Sequence, residues 1–162
     1  MRKYYKQRLY EAILKCLDEL SVENKEISFD EQNFGDEINV NISENGNEIG
    51  YVILIPHRDI DSLFSEIADT DSYEMADDVV SKLSKNKQII EIADVDVNKK
   101  YRNQGVSKML IEYVLNKFKN CQFYLRVCPT GGVDEDTFAN VFRRYGFIDI
   151  DKSENGTFMV KK

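Results

Sequence analysis

Residues 95–115 read VDVNKKYRNQGVSKMLIEYVL, in which an apolar strand passes through a short basic turn into a helix. The first amides of a helix lack intrahelical acceptors and carry the positive end of the helix dipole, so they stabilise an anion. Gly105 lets the backbone approach a phosphate without a Cβ in the way, and the small Ser107 keeps the next turn open. Arg102 and Lys108 add positive charge. The segment therefore predicts a phosphate-binding turn.

Two common nucleotide-binding motifs do not fit this turn. It lacks the Gly-Lys-Ser/Thr ending of a P-loop and the three glycines of a dinucleotide fingerprint. An ordinary strand-to-helix turn and an unrelated anion-binding α/β domain remain alternatives.

Strands and helices alternate around the turn. Residues 88–97 predict a strand rich in Ile and Val, and residues 104–119 predict the helix that follows it. The next strand is expected at 123–127 and the next helix at 134–145, before two short strands that meet at Asn155 and Gly156. A strand, a crossover helix and a second strand indicate a parallel pair.

The first half of the chain predicts antiparallel strands. Apolar residues at helical spacing indicate an amphipathic helix over residues 2–20. Strands are expected at 26–29 and 38–42, and the Asn45-Gly46 dipeptide predicts a tight hairpin turn into a central strand at 51–56. The chain is therefore expected to form an α/β fold, of mixed α+β type, around a mixed sheet.

Composition narrows the class of protein. The 162 residues suit a single domain over 1–162, and the net charge of -7 opposes binding to nucleic acid or an anionic membrane. The N-terminus has no apolar run of secretory or membrane length, so a cytoplasmic location is expected. Three cysteines without CxxC spacing and one histidine, His57, without a ligand pattern predict no disulfide framework and no metal site.

The turn resembles the coenzyme A pyrophosphate loop of the GNAT N-acetyltransferase superfamily, whose pattern is Arg/Gln-x-x-Gly-x-Gly/Ala. Residues 102–107, RNQGVS, match it except that Ser107 takes the last small position. Downstream, the family has an Asn-x-x-Ala-x-x-Tyr helix and then Gly-Phe. This chain has Asp136, Ala139, Phe142, Gly146 and Phe147 at those positions, so two of the five differ. The resemblance covers roughly residues 36–161 and is strongest over 88–147.

The resemblance implies a three-layer fold with a mixed, mostly antiparallel sheet of about six or seven strands, flanked by helices. It also implies acetyl-CoA as cofactor and direct transfer of the acetyl group to a primary amine in a ternary complex. The fourth strand is expected to splay from the fifth so that amides near Val95 and Val97 bind the pantetheine arm. The expected cofactor-binding residues are Val95, Asp96, Val97, Arg102, Asn103, Gln104, Gly105, Val106, Ser107 and Lys108.

Catalysis needs a base for the ammonium, a donor for the developing oxyanion and a proton source for the thiolate. Glu91 is the first candidate base, because some members of the superfamily place a catalytic glutamate there, and Asp94 and Asp96 are alternates. A backbone amide near Val97 is the implied oxyanion donor. Phe142 stands where many members of the family have a tyrosine that protonates the thiolate.

Three sources remain for the proton that the thiolate needs. Tyr145 lies three residues after Phe142, which predicts roughly the same helical face. Tyr124 and water are the other two.

Residues 58–87 predict an acidic helical insertion in two pieces. Its acids have no Lys or Arg between them: Asp59, Asp61, Glu66, Asp69, Asp71, Glu74, Asp77 and Asp78. Such a surface attracts cations, so the expected acceptor is a polyamine, an aminosugar or a lysine-rich peptide, although a merely solvated helix face is the alternative. A weakly active or inactive module that binds acyl-CoA or a protein partner also remains open, as does a homodimer.

Overall fold

A computed structural model of the protein describes residues 25–128, 134–153 and 156–162. These residues form seven strands: β1 (Ile27–Phe34), β2 (Glu37–Glu44), β3 (Asn47–His57), β4 (Ile89–Val97), β5 (Gln122–Val127), β6 (Ile148–Ser153) and β7 (Gly156–Lys161). They also form four α-helices: α1 (Ile60–Thr70), α2 (Tyr73–Ser81), α3 (Val106–Lys117) and α4 (Glu135–Arg143). The predicted helix over 2–20 and Asn155 of the predicted last turn lie outside the described residues.

The strands form one mixed sheet in the order β1-β2-β3-β4-β5-β7-β6. Strands β4 and β5 are parallel, and the other neighbouring pairs are antiparallel. The expected fold class, a mostly antiparallel mixed sheet flanked by helices, is confirmed. The first predicted strand is longer than expected, because β1 continues to Phe34 and pairs with β2 along its whole length.

The Asn45-Gly46 turn joins β2 to β3 as the sequence predicts. Both residues have positive φ, at 51° and 77°, which is the geometry of a tight hairpin whose twist matches that of the strands. Strand β3 is then the third of the seven strands, between β2 and β4. Its position confirms the central strand that the apolar stretch at 51–56 predicts.

Apolar residues fill both faces of the sheet. One core lies between the sheet and helices α3 and α4, and includes Leu54, Leu110 and Phe142. A second core lies under α1 and α2 on the other face, and includes Leu63 and Phe158. The two cores make the three-layer arrangement, with the sheet in the middle. In the part of the chain that the structure describes, no helix combines the length and the apolarity needed to cross a membrane.

Strand β4 carries two irregularities that shape the functional site. Ile53 of β3 pairs with Asp94, but the next residue, Leu54, pairs with Ile92, so Ala93 is an extra residue in a β-bulge. On its other side β4 pairs with β5 only over its first three residues, ending at Glu91. The two strands then separate, which agrees with the expected splay.

Candidate functional site

A cavity of about 480 Å³ occupies the gap where β4 and β5 separate. One wall is β4 from Glu91 to Val97, and the opposite wall includes Leu125 and Arg126 of β5. Phe138 and Phe142 of α4 line it as well. The cavity therefore continues from the part of β4 that carries the carboxylates to the face of the sheet that α3 and α4 cover.

Among the residues that the structure describes, none pairs as a strand with the edge of β4 beyond Glu91 on the β5 side. An open strand edge presents N–H and C=O groups that pair with any extended chain of amides laid along it. Val95 and Val97 lie on this edge and line the cavity. This part of the site suits an elongated ligand that itself contains amide groups.

The N-terminus of α3 forms the other end of the site. Gly105 is its N-cap residue, with a φ of 82°, and no side chain caps the helix. In contrast, side-chain oxygens of Asp59, Ser72 and Asp134 cap α1, α2 and α4. The uncapped amides of α3 are therefore available to an anion. A Cβ built on Gly105 meets no atom within 4 Å, so open space lies above the turn.

Arg102 fastens this turn to the end of β4. Its Nε donates to the carbonyl oxygen of Val97 over 2.9 Å, and its guanidinium donates to Asp96 over 3.2 Å. The carboxylate of Asp96 is therefore occupied by Arg102, which makes it a poorer candidate base than a carboxylate without such a partner.

The structure brings most of the expected cofactor residues to the cavity. Those that line it are Val95, Asp96, Val97, Arg102, Asn103, Gly105, Val106 and Ser107. The side chains of the other two are directed elsewhere: Gln104 donates to the carbonyl oxygen of Lys100 over 2.8 Å, and Lys108 pairs with Glu112 over 3.8 Å.

The bulge at Ala93 places three carboxylates on one face of the sheet. Glu91, Asp94 and Asp96 lie opposite Ile55, Ile53 and Tyr51 of β3, which alternate with the buried Val52 and Leu54. Cross-strand neighbours point to the same side. All three acids therefore face away from α3, towards the side of the sheet that α1 covers.

The three acids have different partners. Asp94 accepts a hydrogen bond from the Tyr51 hydroxyl over 3.0 Å, and this bond, together with burial, raises the pKa of Tyr51. Glu91 is the most enclosed of the three, with its side chain only 15% exposed. Glu91 lines the cavity and is the acid that stands closest to the separation of β4 and β5.

A histidine for which the sequence predicts no role lies beside Glu91. His57 Nε2 is 3.1 Å from Glu91 Oε2, and His57 Nδ1 is 3.8 Å from Glu66 Oε2 on α1. Burial and the nearby Glu91 carboxylate raise the pKa of Glu66. The ligand atoms of the three side chains lie within 4.8 Å of one another, a cluster that the spacing of these residues in the sequence does not indicate. Only the register of β3 against β4 could have revealed it.

Neither of the tyrosines considered as proton donors lines the cavity. Phe142 does line it, buried to 1% exposure and packed edge-on against Phe138 and Phe147. Burial raises the pKa of Tyr124, which packs with Phe158 in the other core. Of the three sources that the sequence offers, neither tyrosine therefore reaches the cavity wall beside Phe142.

Tyr145 lies two residues beyond the end of α4 at Arg143 and does not line the cavity. Its N–H still donates to the carbonyl oxygen of Phe142 over 2.9 Å, and its side chain packs against the same core as Phe142. The Tyr145 hydroxyl donates to Glu112 of α3 over 3.4 Å. Burial, followed by the Glu112 charge, raises the pKa of Tyr145.

The Tyr145→Phe variant is expected to keep its turnover number within about twofold of wild type, because the lost hydroxyl lies outside the cavity. Its melting temperature should fall by at most a few degrees, since a hydrogen bond of this kind contributes about 1 kcal/mol. Steady-state kinetics and thermal unfolding measure both. A tenfold lower turnover number with unchanged stability would restore Tyr145 as the proton donor.

Comparison with known proteins identifies a matching family and similar folds. The sequence matches the model of the "Acetyltransferase (GNAT) family" over residues 6–147. The structure of Arabidopsis thaliana NAA60 in complex with acetyl-CoA is 20% identical, with a TM-score of 0.50, over 80% of this chain and 75% of that one. PH1933 from Pyrococcus horikoshii OT3 is 18% identical, with a TM-score of 0.50, over 76% of this chain and 64% of that one. At these identities the likeness is one of fold. No curated protein matches the sequence significantly.

Proposed function

Because the chain belongs to the acetyltransferase (GNAT) family, we propose that it transfers an acetyl group from acetyl-CoA to a primary amine of a cationic small molecule or peptide. The observation that carries the proposal is the cavity between β4 and β5. It joins an uncapped helix N-terminus on one side of the sheet to a row of carboxylates on the other. A phosphate-bearing donor and an amine acceptor can therefore meet within one gap.

The residues of the site fit coenzyme A in two places. The uncapped amides of α3 and the open space at Gly105 suit the pyrophosphate, with Arg102 beside them. The open edge of β4 at Val95 and Val97 suits the two amides of the pantetheine arm. When bound, acetyl-CoA supplies an activated carbonyl and a thiolate leaving group.

Glu91 accepts a proton from the acceptor ammonium, directly or through a water, because it is the enclosed carboxylate on the acceptor side of the cavity. The amide at Val97 donates to the carbonyl oxygen on which negative charge develops. Since Phe142 has no proton to give, water protonates the thiolate, which is a stable leaving group near neutral pH. The amine attacks while both substrates are bound, so no acyl group is transferred to the protein.

The acidic helical insertion over residues 58–87 is the reason to expect a cationic acceptor. Helices α1 and α2 cover the face of the sheet on which Glu91 lies, and Glu66 of α1 approaches the same histidine as Glu91. Most of the other acids of this segment are exposed. A surface of one sign beside a cleft concentrates ligands of the opposite sign, which favours a cationic amine over a neutral one.

Turnover of acetyl-CoA with a panel of amines tests the function. We expect thiol release with a polyamine, an aminosugar or a lysine-rich peptide, and a kcat/KM for the active acceptor that falls several-fold between about 50 and 500 mM salt. A neutral amine of the same size is the matched control. Preference for the neutral amine, or a kcat/KM that ignores salt, would contradict the proposed acceptor class but not the acetyl transfer.

A binding module without turnover is the second candidate, and Phe142 is the observation that favours it. A phenylalanine at the wall of the cavity removes the hydroxyl that the family uses as an acid. Acetyl-CoA that binds but is never consumed with any amine of the panel would establish this alternative.

A further inference from the structure

A buried histidine joins two carboxylates from different layers of the fold. His57 ends β3, Glu91 lies on β4 and Glu66 lies on α1. The His57 side chain is 4% exposed, compared with 15% for Glu91 and 47% for Glu66. The three groups therefore lead from the cavity wall, through a buried imidazole, to the surface.

The two carboxylates face different nitrogens of the imidazole. Glu91 lies 3.1 Å from Nε2, within hydrogen-bond distance, and Glu66 lies 3.8 Å from Nδ1. An ionised carboxylate only accepts hydrogen bonds, so the bond to Glu91 requires a proton on Nε2. The ring therefore offers Nε2 to Glu91 and turns Nδ1 towards Glu66.

The surroundings of this cluster contain few other charges. Arg126 of β5 acts electrostatically on Glu66 and on Tyr124. Tyr124 also senses the charges of Glu91, Glu66 and Asp71, which lies at the end of α1. Arg126 lines the cavity. Burial, followed by the Glu91 charge, raises the pKa of Glu66, and a side-chain contact with Glu91 adds to this shift, so the two carboxyl groups are direct neighbours beside the imidazole. Removal of the imidazole would leave these two carboxyl groups together without the donor that Nε2 supplies.

We propose that His57 is a positioning residue for proton transfer, which holds Glu91 Oε2 and so presents the other oxygen, Oε1, to the acceptor amine. This role rests on the proposed function, in which Glu91 is the base. Glu66 anchors the imidazole from the opposite side, and the Gln88 side chain fixes the same end of β3 by donating to the carbonyl oxygen of His57 over 2.7 Å. Positioning of this kind matters because a base acts only within hydrogen-bond reach of the proton it removes.

A metal ion is the competing occupant of such a cluster. One histidine and two glutamates are a ligand set that Zn²⁺ accepts. A metal ion would use one nitrogen of the ring, and one ligand atom from each of the three side chains lies within 4.8 Å of the others. The 3.1 Å contact between His57 Nε2 and Glu91 Oε2 has the length of a hydrogen bond, which favours the bridge, and metal addition is one arm of the test.

NMR of the imidazole tests the bridge without any substrate, since His57 is the single histidine of the chain. We expect Glu91→Gln to shift the ¹⁵N resonance of Nε2 more than that of Nδ1, and Glu66→Gln to do the reverse. Glu74→Gln is the matched control, because it removes the same charge from an exposed position on α2. Ring resonances that ignore Glu91→Gln, or stoichiometric binding of added Zn²⁺ that shifts them, would overturn the proposal.

Kinetics test the positioning. His57→Leu is expected to lower kcat by about 10- to 100-fold, at or below the lower end of a full general-base contribution because Glu91 itself remains, and to leave the affinity for acetyl-CoA unchanged. The acid limb of its pH–rate profile should move to higher pH, because the two neighbouring carboxyl groups lose the hydrogen-bond donor beside them. His57→Gln, which keeps an N–H donor, should recover part of the rate. An unmoved pH profile in both variants would overturn the proposal.

The two hypotheses fail in different ways. A wild-type protein that binds acetyl-CoA but acetylates no amine contradicts the proposed function, and the NMR result still decides whether the bridge exists. A wild type that turns over normally, together with unaltered His57 variants, contradicts the positioning role alone.

Discussion

Gly105→Glu is expected to weaken acetyl-CoA binding by at least about 100-fold, a loss of about 2.7 kcal/mol of binding free energy. The new carboxylate would lie at the uncapped amides of α3, where it caps the helix itself and repels the pyrophosphate. Because a Cβ at this position meets no atom within 4 Å, the loss would not arise from a steric clash within the protein. Titration calorimetry with acetyl-CoA measures it.

Gly35→Glu is the matched control for this substitution. Gly35 lies in the β1–β2 turn and also has a positive φ, of 66°, and a Cβ at this position would likewise meet no atom within 4 Å. Both variants therefore carry the same added charge and a similar backbone strain, of about 1–2 kcal/mol. Only the substitution at 105 should abolish binding. Equal affinities of wild type and Gly105→Glu would remove the helix N-terminus from the site.

Glu91→Gln is expected to lower kcat at pH 7 by about 100- to 1000-fold, the range that general base catalysis supplies. The amide keeps the size of the side chain but cannot accept the ammonium proton. The defect should be largest below pH 8 and shrink as pH rises, because the acceptor then reaches the site already deprotonated. The pH dependence of kcat and kcat/KM for both proteins measures this effect.

Asp94→Asn is the comparison for Glu91→Gln, since it makes the same carboxylate-to-amide change three residues along β4. Asp94 faces the same side of the sheet but is occupied by the Tyr51 hydroxyl. A much smaller fall in rate is therefore expected. A Glu91→Gln variant with the pH dependence of the wild type would exclude Glu91 as the base, and a larger defect in Asp94→Asn would transfer the role to Asp94.

The fold was largely predictable because its signals are local. The alternating residues of β2, the Asn45-Gly46 turn and the apolar periodicity of α3 each depend on neighbours in the chain, and each was placed correctly. The direction of the Tyr145 hydroxyl was not, because it donates to Glu112 of α3, 33 residues earlier in the chain. Such a contact between distant segments leaves no local signal.

The sequence by itself determined the uncapped glycine turn into α3, because residues 102–107 are consecutive and their backbone geometry is set locally. Tertiary structure alone decided which acids lie together. In a regular strand Glu91 and Asp94 would point to opposite faces, and the extra residue Ala93 brings them to one. The contact of His57 with Glu91 likewise depends on the register between β3 and β4, which arises from pairing between distant segments.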